Sequence, residues 1–219
     1  MSMERTPICL PVCVLGLAGA ILTPGVHAAT VISEALYDAV GSDNGNVFVE
    51  LYGTPGAALD GTSLEGVNGS DGSVYLTLPL SGVIPGDGVF VVADDAGDGN
   101  SLVVNADLVV NMDFQNGPDS IVLRDADGIL DALGYGDFSG GVFAGEGSAA
   151  PDAPAGSSLA RLDPLVDSGD NLSDFTVLDT PTPGSVPVST VPLPPALALF
   201  LSGIGGLLAV SRRRAASAA

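Results

Sequence analysis

Val47-Phe48-Val49-Glu50-Leu51-Tyr52 alternates apolar and other side chains, with Val47, Val49 and Leu51 on one face. A period of two is the mark of a β-strand with one buried face. The pattern returns at Val74, Leu76, Leu78 and Leu80, with Tyr75 and Thr77 opposite. Residues 88–93 (GVFVVA), 101–104, 106–110 and 120–124 are further short, valine-rich runs expected to be strands. Turn signals separate them: Asn44-Gly45, Asn68-Gly69, Pro85-Gly86, Asn116-Gly117 and Asp127-Gly128. Glycine or asparagine there can take positive φ, and Pro85-Gly86 suits the middle of a type II turn. Strands at this spacing, with almost no helical periodicity, predict an all-β antiparallel sandwich.

Both ends of the chain depart from this pattern. Near the start, Arg5 precedes an apolar segment from Ile8 to Leu22, and Val26-His27-Ala28 offers the small residues a signal peptidase reads. Cleavage between Ala28 and Ala29 is expected, making residues 1–28 a signal peptide. Cys9 and Cys13 fall inside the apolar segment, so a lipoprotein reading fails.

At the other end stand Val191, Pro192, Leu193, Pro194 and Pro195, then an uncharged run from Ala196 to Val210, then Arg212, Arg213 and Arg214. An uncharged run partitions into hydrocarbon, and the arginines after it halt transfer with the basic end in the cytoplasm. At 1.5 Å per residue, segment 196–210 spans roughly 22 Å as a transmembrane helix, short of a bilayer core of about 30 Å. Residues 176–190 are rich in proline, serine and threonine and are expected to be an extended spacer. The sandwich is expected over 29–175 and the tail signal over 191–219.

Charge sets limits on function. Residues 29–190 hold two basic side chains, Arg124 and Arg161, against 25 acids, and contain no cysteine, histidine or lysine. A net charge of −23 repels nucleic acid, which is therefore not an expected partner. The missing residue types remove the usual bases and strong nucleophiles, so no catalytic residue is assigned. One loop attracts notice: Asp94, Asp95, Asp98 and Asn100 gather carboxylates and an amide within a glycine-rich turn. Calcium takes six to eight oxygen ligands, and such a loop is the candidate site for it. The spacing does not match the helix-loop-helix calcium pattern, since Ala96 and Asn105 stand at ligand positions. No other cofactor is expected. Glu34 and Glu50, each inside an apolar run, are expected on solvent faces or bonded to loop amides, and the two arginines are expected to answer nearby aspartates.

The tail resembles the PEP-CTERM sorting signals of bacteria that make extracellular polysaccharide, and more closely their VPLPA variant. The match rests on Val191-Pro192-Leu193-Pro194, Ala196, the apolar run with Gly203, Gly205 and Gly206, and the arginine triplet. Leu193 stands where the parent motif has glutamate, and Pro195 is one proline more than usual. The resemblance implies an exosortase-type membrane protease as partner, cleavage near the prolines, and release to the surface or matrix.

The body resembles lamin-tail domains over roughly residues 31–184. Val31-Ile32-Ser33-Glu34-Ala35-Leu36-Tyr37-Asp38 and Phe48-Val49-Glu50-Leu51-Tyr52 look like its opening strands. Ile84-Pro85-Gly86-Asp87, the stretch Asp119 to Asp125 with Asp127-Gly128, Asp131 and Tyr135, and the close through Ser158-Leu159-Ala160-Arg161, Asp170-Asn171, Asp174-Phe175 and Pro181-Thr182-Pro183-Gly184 also fit. At Thr62-Ser63-Leu64 the family usually has a tryptophan, which this chain lacks. The resemblance implies an all-β, immunoglobulin-like antiparallel sandwich that binds or displays, without catalysis. The expected function is that of an exported, non-enzymatic surface or matrix protein, with extracellular polysaccharide among its partners. A permanently anchored adhesin, a calcium-dependent module and a carboxylate-based glycan hydrolase are the competing readings.

Overall fold

The computed structural model describes residues 30–186. The expected signal peptide (1–28), the cleavage expected between Ala28 and Ala29, and the expected tail signal (191–219) lie outside the described residues. Among those described, no helix is long and apolar enough to cross a membrane.

The fold is almost entirely β. The strands are β1 (Val31–Leu36), β2 (Phe48–Tyr52), β3 (Ser63–Asn68), β4 (Val74–Pro79), β5 (Val89–Asp94), β6 (Leu108–Val110), β7 (Asp119–Arg124), β8 (Ile129–Tyr135), β9 (Ser158–Arg161) and β10 (Phe175–Leu178). One helical turn, α1 (Asn171–Asp174), precedes β10. A six-stranded sheet has the order β10-β9-β1-β2-β5-β6, and a four-stranded sheet the order β4-β3-β7-β8. A single apolar cluster draws on both, with Ile32, Leu51 and Val92 from the first and Leu64, Ile121 and Leu133 from the second. Two sheets joined by one shared core make a sandwich-like architecture.

Alternation places Val49 and Leu51 as expected, in register with Val92 and Phe90 of β5. The opposite face of β2 is covered too, since Phe48 and Glu50 are buried as well. This strand lies inside the larger sheet, so its edges are paired, and its second face is roofed by residues 181–186. Pro181 and Pro183 line a groove there with Leu36 and Phe48. The boundary expected after Phe175 therefore falls inside β10, which pairs with β9 through Leu178, and the first part of the expected spacer is a strap on the sheet.

Other expectations shift locally. Residues 101–104 form turns, with Leu102 and Val104 67% and 64% exposed, and the next run yields only Leu108–Val110. That short strand pairs parallel to β5, an exception to the antiparallel rule. The Pro85-Gly86 turn is displaced by one residue. The Pro85 carbonyl accepts from the Gly88 N–H at 3.0 Å, and Gly88 takes the positive φ of 87°. Glycine tolerates that conformation without steric cost. The Asp127-Gly128 hairpin stands where expected, between β7 and β8.

Candidate functional site

Three polar centres are built into this sandwich. The first surrounds Arg161, whose side chain has no solvent exposure. It closes β9 directly opposite Phe175 of β10, and its guanidinium lies 4.6 Å over that ring. Nε donates to the Ile32 carbonyl at 2.9 Å, one terminal nitrogen to both Asp131 oxygens at 2.9 and 2.7 Å, and the other to Asp174 at 3.0 Å. Asp131 also receives the Ile32 N–H at 2.6 Å, so the cluster ties β1, β8, β9 and α1 together. A planar guanidinium presents five N–H donors in a fixed fork that matches a carboxylate with two parallel bonds, a geometry that the compact ammonium of lysine does not reproduce.

Beside this cluster, oxygens of Asp131, Glu146 and Asp167 lie within 4.8 Å of one another. Glu146 Oε2 is buried with no hydrogen bond. Burial, reinforced by Asp131 and Asp167, pushes its carboxyl up to about 7. The geometry does not favour a metal here, because both Asp131 oxygens are engaged and Arg161 already supplies a positive charge.

The second centre is a pair of buried glutamates facing each other across β1 and β2, in register as Glu34 and Glu50. Glu34 accepts from the Ser158 hydroxyl at 2.5 Å and from the N–H and hydroxyl of Thr182 at 2.9 and 2.8 Å. Glu50 accepts from the Ser33 hydroxyl and the Gly184 N–H, both at 2.7 Å. Burial pushes Glu50 up to about 6 against the pull of these bonds. Two carboxylates side by side in an interior are costly unless donors surround them. Here the strap brings three of those donors.

The third centre is a cleft of about 370 Å³ whose lining includes Asn68, Gly69, Asn116, Asp119, Asp137 and Ser139. Loops flanking β3, β7 and β8 meet there. Asp119 Oδ1 accepts the Gly69 N–H at 2.9 Å, while Oδ2 is buried with no hydrogen bond in range. Burial raises its carboxyl, with the Gly69 amide and then the neighbouring Tyr75 hydroxyl drawing it back.

The candidate calcium residues are spread over separate tasks. Asp94 is buried and spends its two oxygens on the Gly45 and Met112 N–H groups at 2.7 and 2.8 Å. Asp95 Oδ1 collects the amides of Gly97, Asp98 and Gly99, led by Gly97, which hold its carboxyl below the usual range. Asp98 accepts the Asn100 N–H at 3.0 Å. The loop thus closes on its own amides, as aspartate-rich turns do.

Sequence reasoning put Glu34 and Glu50 on solvent or on loop amides, and the second alternative holds. It placed both arginines against aspartates; Arg161 has them, but Arg124 pairs with Glu65 at 3.2 Å. It missed the strap and the Asp119 cleft. The Pro-Thr-Pro-Gly run was the only local hint of the strap, since its partners lie 134 to 148 residues away. Among the described residues there is no histidine, cysteine or lysine, so acid–base chemistry would rest on carboxylates alone. No family model, curated protein or solved structure matches this chain.

Proposed function

We infer that this chain is an exported, non-enzymatic display protein, a lamin-tail-like, immunoglobulin-like sandwich delivered with a removable membrane tail. A signal peptidase cuts after Ala28. An exosortase-type enzyme recognises Val191 to Pro195 and Arg212 to Arg214, and the body reaches the cell surface or a polysaccharide matrix. The observation that carries this reading is the strap. Glu34 and Glu50 fix Thr182 and Gly184 on the sheet, so the chain is still anchored to the sandwich a few residues upstream of the proline motif. Cutting at that motif would leave every described strand and the strap in place.

The test is intact mass of the protein isolated from cells and from medium. A surface-resident form beginning at Ala29, ending near the motif and lacking Arg212 to Arg214 is expected. A surface form retaining those arginines would leave a permanently anchored protein instead.

A further inference from the structure

Three asparagine–glycine pairs occur among the described residues, and they stand in unlike environments. The pair is chemically labile because glycine offers no side chain to hinder its backbone nitrogen from reaching the preceding side-chain amide. At Asn44-Gly45 both reacting groups are engaged. The Asn44 amide donates to the Ala96 carbonyl at 2.9 Å, and the Gly45 N–H donates to buried Asp94 at 2.7 Å. At Asn68-Gly69 the Asn68 oxygen accepts from the Ser70 N–H and hydroxyl at 2.8 and 2.6 Å, and the Gly69 N–H donates to Asp119 at 2.9 Å. Asn116 is exposed, and neither its side chain nor the Gly117 N–H makes a hydrogen bond among the described residues.

The geometry points to Asn116 as a site of spontaneous deamidation in the folded protein, with Asn44 and Asn68 protected because the N–H groups of Gly45 and Gly69 are bound to carboxylates. The Gly117 nitrogen loses its proton to solvent base and attacks the Asn116 side-chain carbon. The new C–N bond closes a five-membered succinimide, and the side-chain nitrogen departs as ammonia. Water then opens the ring at either carbonyl, leaving an aspartyl or an isoaspartyl linkage. The balance is one water consumed and one ammonia released, with no oxidant or reductant. The product places a new carboxylate in the lining of the Asp119 cleft, which also includes Asp137. The sandwich would then carry an age-dependent charge where three loops meet. The inference is independent of the export reading, since it concerns only residues 30–186.

The experiment is peptide mapping by mass spectrometry of the full chain, purified in mild detergent and held at mildly alkaline pH with and without concentrated urea. In the folded protein, conversion at Asn116 should outrun conversion at Asn44 and Asn68 by about ten-fold or more, because the N–H groups of Gly45 and Gly69 must first break bonds to carboxylates. In urea the three rates should converge. Asn116→Gln should abolish the early acidic species, whereas Asn68→Gln should not. Equal rates at the three sites in the folded protein, or early acidic species that persist in Asn116→Gln, would overturn the assignment. So would a folded chain that stays intact at Asn116 while the urea-treated chain converts.

Discussion

Replacing Arg161 by methionine tests the Arg161 cluster directly. The change keeps length and apolar bulk but removes the guanidinium, with its bonds to Ile32, Asp131 and Asp174 and its contact with Phe175. It leaves Asp131 and Asp174, both buried, without their countercharge. Breaking a buried ion pair from one side costs about 3–5 kcal/mol, because the stranded charge has no water to turn to. For a domain of this size each kcal/mol moves Tm by roughly 2–4 °C, so a fall of about 6–20 °C is expected. Urea unfolding of the full chain should show the midpoint falling with little change in slope. Arg161→Lys should recover little, since one compact ammonium cannot reach acceptors that three separate guanidinium nitrogens now hold. Arg161→Met combined with Asp131→Leu should cost less than the two single changes added, the non-additivity expected of partners in contact. A loss under about 1 kcal/mol in Arg161→Met would refute the reasoning, because so small a cost is that of an exposed pair.

Two further outcomes follow from the carboxylates. Thr182→Val deletes the hydroxyl that donates to Glu34 Oε2 and should cost about 1.5–3 kcal/mol in urea unfolding if the strap is latched; an unchanged midpoint would mean that the strap merely rests on the sheet. The carboxyls of Glu146 and Glu50, pushed up to about 7 and about 6 in the fold, make the charged forms unfavourable there. Their contribution to stability is therefore greatest below the ordinary glutamate range and is lost as pH rises from about 4.5 to about 7. Glu146→Gln should flatten that decline and raise Tm at pH 8 relative to the parent, with Tm against pH as the measurement. A parent profile that rises across the window, or one that Glu146→Gln leaves unaltered, would contradict the placement of Glu146.

Alternation along Val47 to Tyr52 and turn residues such as Asp127-Gly128 made the strands legible. Both signals act between residues close in sequence, and side-chain period and backbone φ preference are local properties. Residues 101–104 show their limit. Valine content marks apolar surface, but whether a sheet edge is there to receive it is a tertiary matter, and Leu102 and Val104 found none.

The sequence by itself determined the β class, the strong negative charge, the absence of the usual catalytic side chains from the body, and the three-part order of the tail. Each of these is a property of composition or of near neighbours. Only the tertiary structure decided that Glu34 and Glu50 face each other and hold Thr182 and Gly184, that Arg161 is sealed between four elements, and that Asp94 turns away to Gly45 and Met112 while the rest of its loop bonds to itself. A buried charge is stable only where donors or countercharges converge on it from remote parts of the chain. That convergence depends on strand order and register, which no local pattern in the chain encodes.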